Sequence, residues 1–200
     1  MRIVSLTGGV ASGKSLVLRT FTNLGAYAID CDMLSREVVI PCSEAWWEIV
    51  RLFGKGIVKR DLEIDRKKLR KIVFSDLKKR KALEKIIHPE VKRKCAERIE
   101  VMKKIESEPK TLVVVDVPLL IETGMHAEFD MVIVVYVSEE TQIRRVMERD
   151  GLTKAKARKM IALQMPLKAK LKFADIVITN EGTREATEKQ VRRVFAALSS

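Results

Sequence analysis

Aromatic side chains make up only 5% of this 200-residue chain, and none falls inside one of its basic runs. That argues against stacking on single-stranded nucleic acid. Cysteine is also rare. Cys31, Cys42 and Cys95 are odd in number and lack metal-ligand spacing, which excludes a disulfide framework or a zinc cluster and predicts free thiols in a reducing cytosol. Long apolar runs are missing. Residues 112–121 and 131–137 are too short to span a bilayer, and Asp116 interrupts the first. The first apolar run stops at Gly8, too soon for the h-region of a signal peptide. No Asn-Lys-x-Asp tetrapeptide is present to read guanine, so a regulatory GTPase is not expected.

Acid is the deficient charge, with 27 Asp and Glu against 39 Lys and Arg, a net charge of +12. Basic clusters at 66–68, 70–71, 78–81 and 92–94 leave three readings open: solvated helix faces, attraction of a small polyanionic substrate, or nucleic-acid binding. With 46% hydrophobic and 33% charged residues, the composition is that of a soluble globular protein with a real core, and its length makes one domain the default.

What the chain does have is "SLTGGVASGKSL" at residues 5–16. Gly8, four residues, then Gly13, Lys14 and Ser15 match the phosphate-binding loop G-x-x-x-x-G-K-[ST]. Glycine lets the backbone curl until successive N–H groups point inward at phosphate oxygens, and the following helix adds its own unpaired N–H groups. Gly9, Val10, Ala11, Ser12 and Leu16 complete the expected triphosphate cradle. Lys14 is expected on the β- and γ-phosphates and the Ser15 hydroxyl on Mg²⁺. The context fits, because residues 2–6 read as a strand and Leu16, Val17, Phe21 and Leu24 as a helical stripe ended by Gly25.

Further strands are predicted at 26–30, 111–116, 130–137 and 176–179, each a nearly continuous Val/Ile run. Such runs belong to strands buried on both faces, so the fold class is α/β, a doubly wound five-stranded parallel sheet. The predicted core comprises 1–31, 110–138 and 174–200; a helical insertion of the substrate-binding kind spans 32–109, and a helical lid spans 139–173. Within the insertion, Ser43 and Asp65 are expected to start helices, Ser75 to cap a third, and His88 to end a helix before Pro89. A single apolar stripe is expected from Val91 through Cys95, Ile99 and Met102 to Ile105.

Three acids stand at strand ends. Asp30 and Asp32 share one face if the chain stays extended, and there Asp32 could accept a hydroxyl proton or simply cap the next helix. Asp116 closes "VVVD" and resembles the second nucleotide-binding element, whose Asp helps hold Mg²⁺.

Taken in order, "LTGGVASGKS", "DCDMLSREVV", "HPEV", "DVPLLIETG", "RRVMERDGLT", "QMPLKAK" and "ADIVITNEG" resemble the dephospho-coenzyme A kinase family over residues 3 to about 182. The resemblance implies transfer of the γ-phosphate of ATP, with Mg²⁺, to the 3′-hydroxyl of dephospho-CoA in the cytoplasm. It implies that Asp32 is the catalytic base and that Arg145 and Arg149 are lid arginines. It puts Asn180 beside the adenine, and Arg36 and His88 in the acceptor site. Leu16 departs from the second hydroxyl residue usual in the family, Cys31 from its alanine, and Asp116 is not universal in it. The alternatives are another small phosphate-loop kinase acting on a nucleoside or sugar acid, or an ATP-dependent nucleic-acid-binding protein. No membrane partner is expected.

Overall fold

The computed structural model describes residues 1–106 and 110–199, so the end of the expected insertion and residue 200 lie outside the described residues. Two compact units emerge, one built from Met1–Asp30 with Lys103–Ser200, the other from Cys31–Met102.

The first unit is a five-stranded parallel sheet of β1 (Arg2–Gly8), β2 (Tyr27–Asp30), β3 (Leu112–Asp116), β4 (Val132–Tyr136) and β5 (Ile176–Thr179), in the order β2-β3-β1-β4-β5. Each strand falls within two residues of its predicted position. β1 runs on to Gly8 because Thr7 and Gly8 still pair with Val134 and Val135 of β4. The central position of β1 explains why Val4 to Gly8 are buried without alternation, the polar Ser5 and Thr7 included. Val4 and Leu6 pack with Leu112, Val114, Ile133, Val135 and Ile178 on one side, and Val113, Val115 and Val134 are buried as well. Two helices cover the first of these faces: α1 (Lys14–Asn23) through Val17 and Phe21, and the C-terminal helix, Arg184–Leu198, through Val191 and Leu198. Phe21 is fully buried, and truncating such a side chain to Ala costs ~3–5 kcal/mol.

The second unit is helical: α2 (Cys31–Glu37), α3 (Glu44–Phe53), α4 (Arg66–Ser75) and α5, which begins here at Leu77 and ends at Ile105. Ser43 caps α3 by accepting from the Trp46 N–H at 3.1 Å, and Asp65 caps α4 by accepting from the Lys68 N–H at 3.0 Å. Three expectations are corrected. Asp76, not Ser75, caps α5, because its carboxylate accepts the Lys79 N–H at 3.0 Å while Ser75 Oγ donates back to Lys71 and Ile72 carbonyls. The helix does not stop at His88: α5 continues through Pro89 for 29 residues. Proline removes one helical donor, but the residue it leaves unserved, Lys85, is exposed, where water can replace that bond. The stripe after Pro89 is buried only at Val91 and Cys95, and Ile105 is 76% exposed.

The remaining helices belong to the first unit: α6 (Glu139–Asp150), α7 (Lys154–Ile161), α8 (Leu167–Lys170) and α9, the C-terminal helix already described. Ser138 caps α6 by accepting from the Thr141 N–H at 3.2 Å, and Thr153 caps α7 by accepting from the Lys156 N–H at 3.5 Å. Along α5 the basic runs are laced with acids, Arg93 lying between Glu90 and Glu97 and Arg80 pairing with Glu84, as on a solvated helix face. Among the described residues all three cysteines are free thiols, and no helix is long and apolar enough to cross a membrane.

Candidate active site

Between β1 and α1 the backbone makes the turn that the glycine spacing predicts. Gly13 stands at the N-cap of α1 with φ 88° and ψ 20°, left-handed, and no side chain caps the helix. The first N–H groups of α1 are therefore open to an anion, which the helix dipole favours. A Cβ on Gly13 would run into the Asn180 amide, so glycine is required there for backbone and space alike. Gly9 is needed for close approach: a Cβ there would lie 2.6 Å from Gln142 Nε2 and 3.0 Å from Leu167 Cγ.

Side chains from far along the chain hold this loop by its backbone. Asn180 Nδ2 donates to the Ser12 carbonyl at 2.8 Å, and its Oδ1 accepts from Thr187 Oγ1 at 2.8 Å. Arg145 donates to the Asn180 carbonyl at 2.8 Å and to the Ala11 carbonyl at 3.4 Å. Gln142 donates to the Val10 carbonyl at 2.7 Å, and the Val10 N–H donates to Gln164 Oε1 at 3.0 Å. The apolar side of the loop, Val10 and Ala11, packs on Ile143, Val146 and Ala157 of α6 and α7. Ser12 Oγ is a buried hydroxyl without a hydrogen-bond partner among the described residues. Glu181, next to Asn180, accepts from Thr141 Oγ1 at 2.7 Å and from the Ser138 N–H, and these bonds hold its carboxyl below the usual range.

The acids at the strand ends fall differently. Register places Asp30 of β2 beside Asp116 of β3, and Asp116 beside Leu6 of β1. Asp116 is buried and forms an ion pair with Lys14. Asp32 does not extend the strand. Helix α2 begins at Cys31, so the same-face argument for Asp30 and Asp32 fails, and Asp32 lies in the first turn of α2 rather than at its N-cap. It is exposed there, in the helical unit, with Arg36 one turn further on and also exposed. His88 is half-buried in the middle of α5. Arg149 is exposed and closes its guanidinium fork on Asp150, two bonds of 2.8 Å that raise its pKa further. The structure thus gathers Gly8–Leu16, Asp116, Arg145 and Asn180 around one loop, while Arg149 has Asp150 as its ion-pair partner.

A hard divalent cation keeps most of its ligands from phosphates and water and takes only one or two protein oxygens. Ser15, exposed at the start of α1, and Asp116, at the end of the neighbouring strand, fit that demand. Among the described residues no group of three His, Cys, Asp or Glu side chains could hold a metal by itself.

Sequence reasoning did not single out Gln142, Gln164, Thr187, Glu122 or Lys170. Gln164 and Lys170 lie in "QMPLKAK" and Glu122 in "DVPLLIETG", yet no local pattern announces a partner so far away in the chain.

The family model for dephospho-CoA kinase matches residues 2–186. A curated dephospho-CoA kinase of Geobacillus kaustophilus is 47% identical over 192 residues, covering 96% of this chain and 94% of that one. A Thermus thermophilus protein of known structure superposes with a TM-score of 0.79 at 33% identity, over 98% of this chain and 97% of that one. The dephospho-CoA kinase of Campylobacter jejuni superposes with a TM-score of 0.75 at 28% identity, over 100% of this chain and 98% of that one. With the family model spanning nearly the whole sequence, the chain belongs to the dephospho-CoA kinase family.

Proposed function

We propose that this chain transfers the γ-phosphate of ATP to the 3′-hydroxyl of dephospho-CoA, the last step of coenzyme A synthesis, in the cytosol. The observation that carries the reading is the loop Gly8–Ser15, with its left-handed Gly13 and the uncapped start of α1, in a chain of this family. Backbone N–H groups of the loop and of the start of α1 cradle the β- and γ-phosphates, and the Lys14 ammonium sits against the charge that develops between them. Ser15 and Asp116 would hold Mg²⁺, which would supply positive charge against the phosphates as charge develops in transfer. Asp32 accepts the proton of the attacking hydroxyl, and as an acid in the first turn of α2 it is favoured by the helix dipole. Arg36 and His88 contact the acceptor, within an acceptor-binding insertion of residues 32–109. Asn180 lies beside the adenine. The block 139–173 acts as a lid, with Arg149 and Arg145 supplying cations to the phosphates as it closes. Because transfer passes through a loose transition state, position and charge do most of the work and the base acts late.

The test is phosphoryl transfer from ATP to dephospho-CoA, with adenosine and CMP as competing acceptors. Preference for either competitor would move the reading to another small phosphate-loop kinase. Asp32→Asn should lower kcat by ~10²–10⁴, the range of a general base, while ATP affinity by calorimetry stays within a few-fold. Near-normal kcat would return Asp32 to a structural role in α2.

A further inference from the structure

Lys170 is a charged side chain with no exposed surface, at the last residue of α8. Its ammonium donates to the Pro118 carbonyl at 3.1 Å and lies 3.0 Å from both carboxylate oxygens of Glu122. Glu122 in turn accepts the Met165 N–H at 3.0 Å, and the Pro118 carbonyl also accepts from Thr7 Oγ1 at 3.3 Å. Pro118 stands two residues after Asp116, the partner of Lys14. On the other side, the same short stretch of chain reaches the phosphate loop: Gln164 holds the Val10 N–H, and Leu167 fills the space beside Gly9. Residues 164–170 therefore brace two structures at once, the loop and the turn behind β3.

A buried ammonium is an expensive brace. An apolar residue would fill the volume without desolvating a charge, and buried ion pairs are weak evidence for stability. What a cation supplies here is a fixed distance between a backbone carbonyl and a carboxylate, on the turn that carries the counter-ion of Lys14.

We propose that Lys170 is a positioning residue for phosphoryl transfer: clamped between Pro118 and Glu122, it fixes the turn after Asp116 and thereby the place of the Lys14 ammonium. The inference rests on the reaction proposed above. Wild-type turnover under the same conditions reads that reaction, and only the variants read Lys170. The charged groups around it are Glu122 from the turn after β3 and Lys14 from α1, the latter paired with Asp116. Burial lowers the Lys170 pKa, Glu122 raises it again, and Lys14 lowers it slightly.

Two variants test this. Lys170→Met keeps the length and removes the charge; kcat should fall ~10–100-fold, the cost of misplacing a reacting group by a fraction of an ångström to an ångström. ATP affinity by calorimetry should stay within a few-fold. Glu122→Gln keeps a bond to the Met165 N–H but removes the charge that offsets burial, so Lys170 should lose its proton at lower pH. The alkaline limb of its kcat profile should then move to lower pH than in the wild type. Wild-type kcat in Lys170→Met overturns the proposal, and so does an equal fall of kcat and ATP affinity, the mark of a merely structural role. If Lys170→Met does not fold, the Glu122→Gln profile decides, and superposition on the wild-type profile overturns it.

Discussion

Gly13→Ala should damage this protein in two separable ways, and Gly124→Ala provides the comparison. Both glycines are left-handed, at φ 88° and 75°. Around Gly124 nothing lies within 4 Å of an added Cβ, so alanine there carries only the backbone cost of about 1–2 kcal/mol. At Gly13 the same cost applies, and the new Cβ also drives the Asn180 amide away from the Ser12 carbonyl. A buried carbonyl left without its donor costs a further ~1–3 kcal/mol. The sum, about 2–5 kcal/mol, is roughly twice the effect at Gly124. For a chain of this size each kcal/mol lowers Tm by about 2–4 °C, so the two variants should be distinguishable by calorimetric melting. ATP sharpens the contrast. At a hundredfold excess over Kd a ligand stabilises by ~2.7 kcal/mol, and Gly124→Ala should retain that shift. Gly13→Ala should lose most of it, because the N–H groups at the start of α1 no longer converge. Equal melting of the two variants, or a full ATP shift in Gly13→Ala, would refute the reasoning.

Lys14→Ala should abolish turnover and strongly weaken ATP binding; it also removes the cation paired with the buried Asp116 carboxylate, so adding Asp116→Asn should recover part of the lost Tm but none of the activity. Arg145→Lys keeps the charge but not the planar fork that reaches two carbonyls. With a charge-assisted bond worth ~1.5–3 kcal/mol, kcat/KM for ATP should drop roughly 10–100-fold, and an unchanged value would sink the assignment. Glu181 has a depressed folded pKa, chiefly through the Thr141 hydroxyl, so its stabilising bonds are fully present above its ordinary 4.5 and are lost as pH falls through the lower folded value. The Tm gap between wild type and Glu181→Gln should hold from neutral pH down to about 4.5 and close below it. A gap that persists in acid would count against the role given to Thr141.

The strands were legible because parallel strands buried on both faces leave an unmistakable record, Leu112 to Val115 and Val132 to Val135 being apolar at every position. Caps such as Ser43 and Asp65 were legible because a cap is a local bond, made within three residues. Errors came where two local rules competed. Ser75 and Asp76 are both cap residues, and the choice between them depends on where α4 ends; Pro89 reads as a stop, but α5 passes through it at an exposed turn. Asp32 was mislaid for a similar reason, since nothing in "AIDCD" says that the strand gives way to a helix after Asp30. The phosphate loop itself could be read from its spacing, yet not its supports. Asn180 to Ser12 spans 168 residues and Gln164 to Val10 spans 154, and pairings at such separation leave no periodicity to detect.

Those separations bear on how the molecule comes into being. β1 and the phosphate loop are the first part of the described chain to be synthesised, but β1 pairs only with β3 and β4, more than a hundred residues later. A nascent chain must therefore carry this central strand unpaired until residues beyond 112 have left the ribosome. The loop gains its last support when Asn180 and Thr187 arrive. Non-local contacts of this kind slow folding, since loop-closure entropy is spent before the contacts reward it. A nucleotide pocket whose parts stand 168 residues apart cannot form before both have been made, so ATP would bind only after Asn180 and Thr187 have emerged.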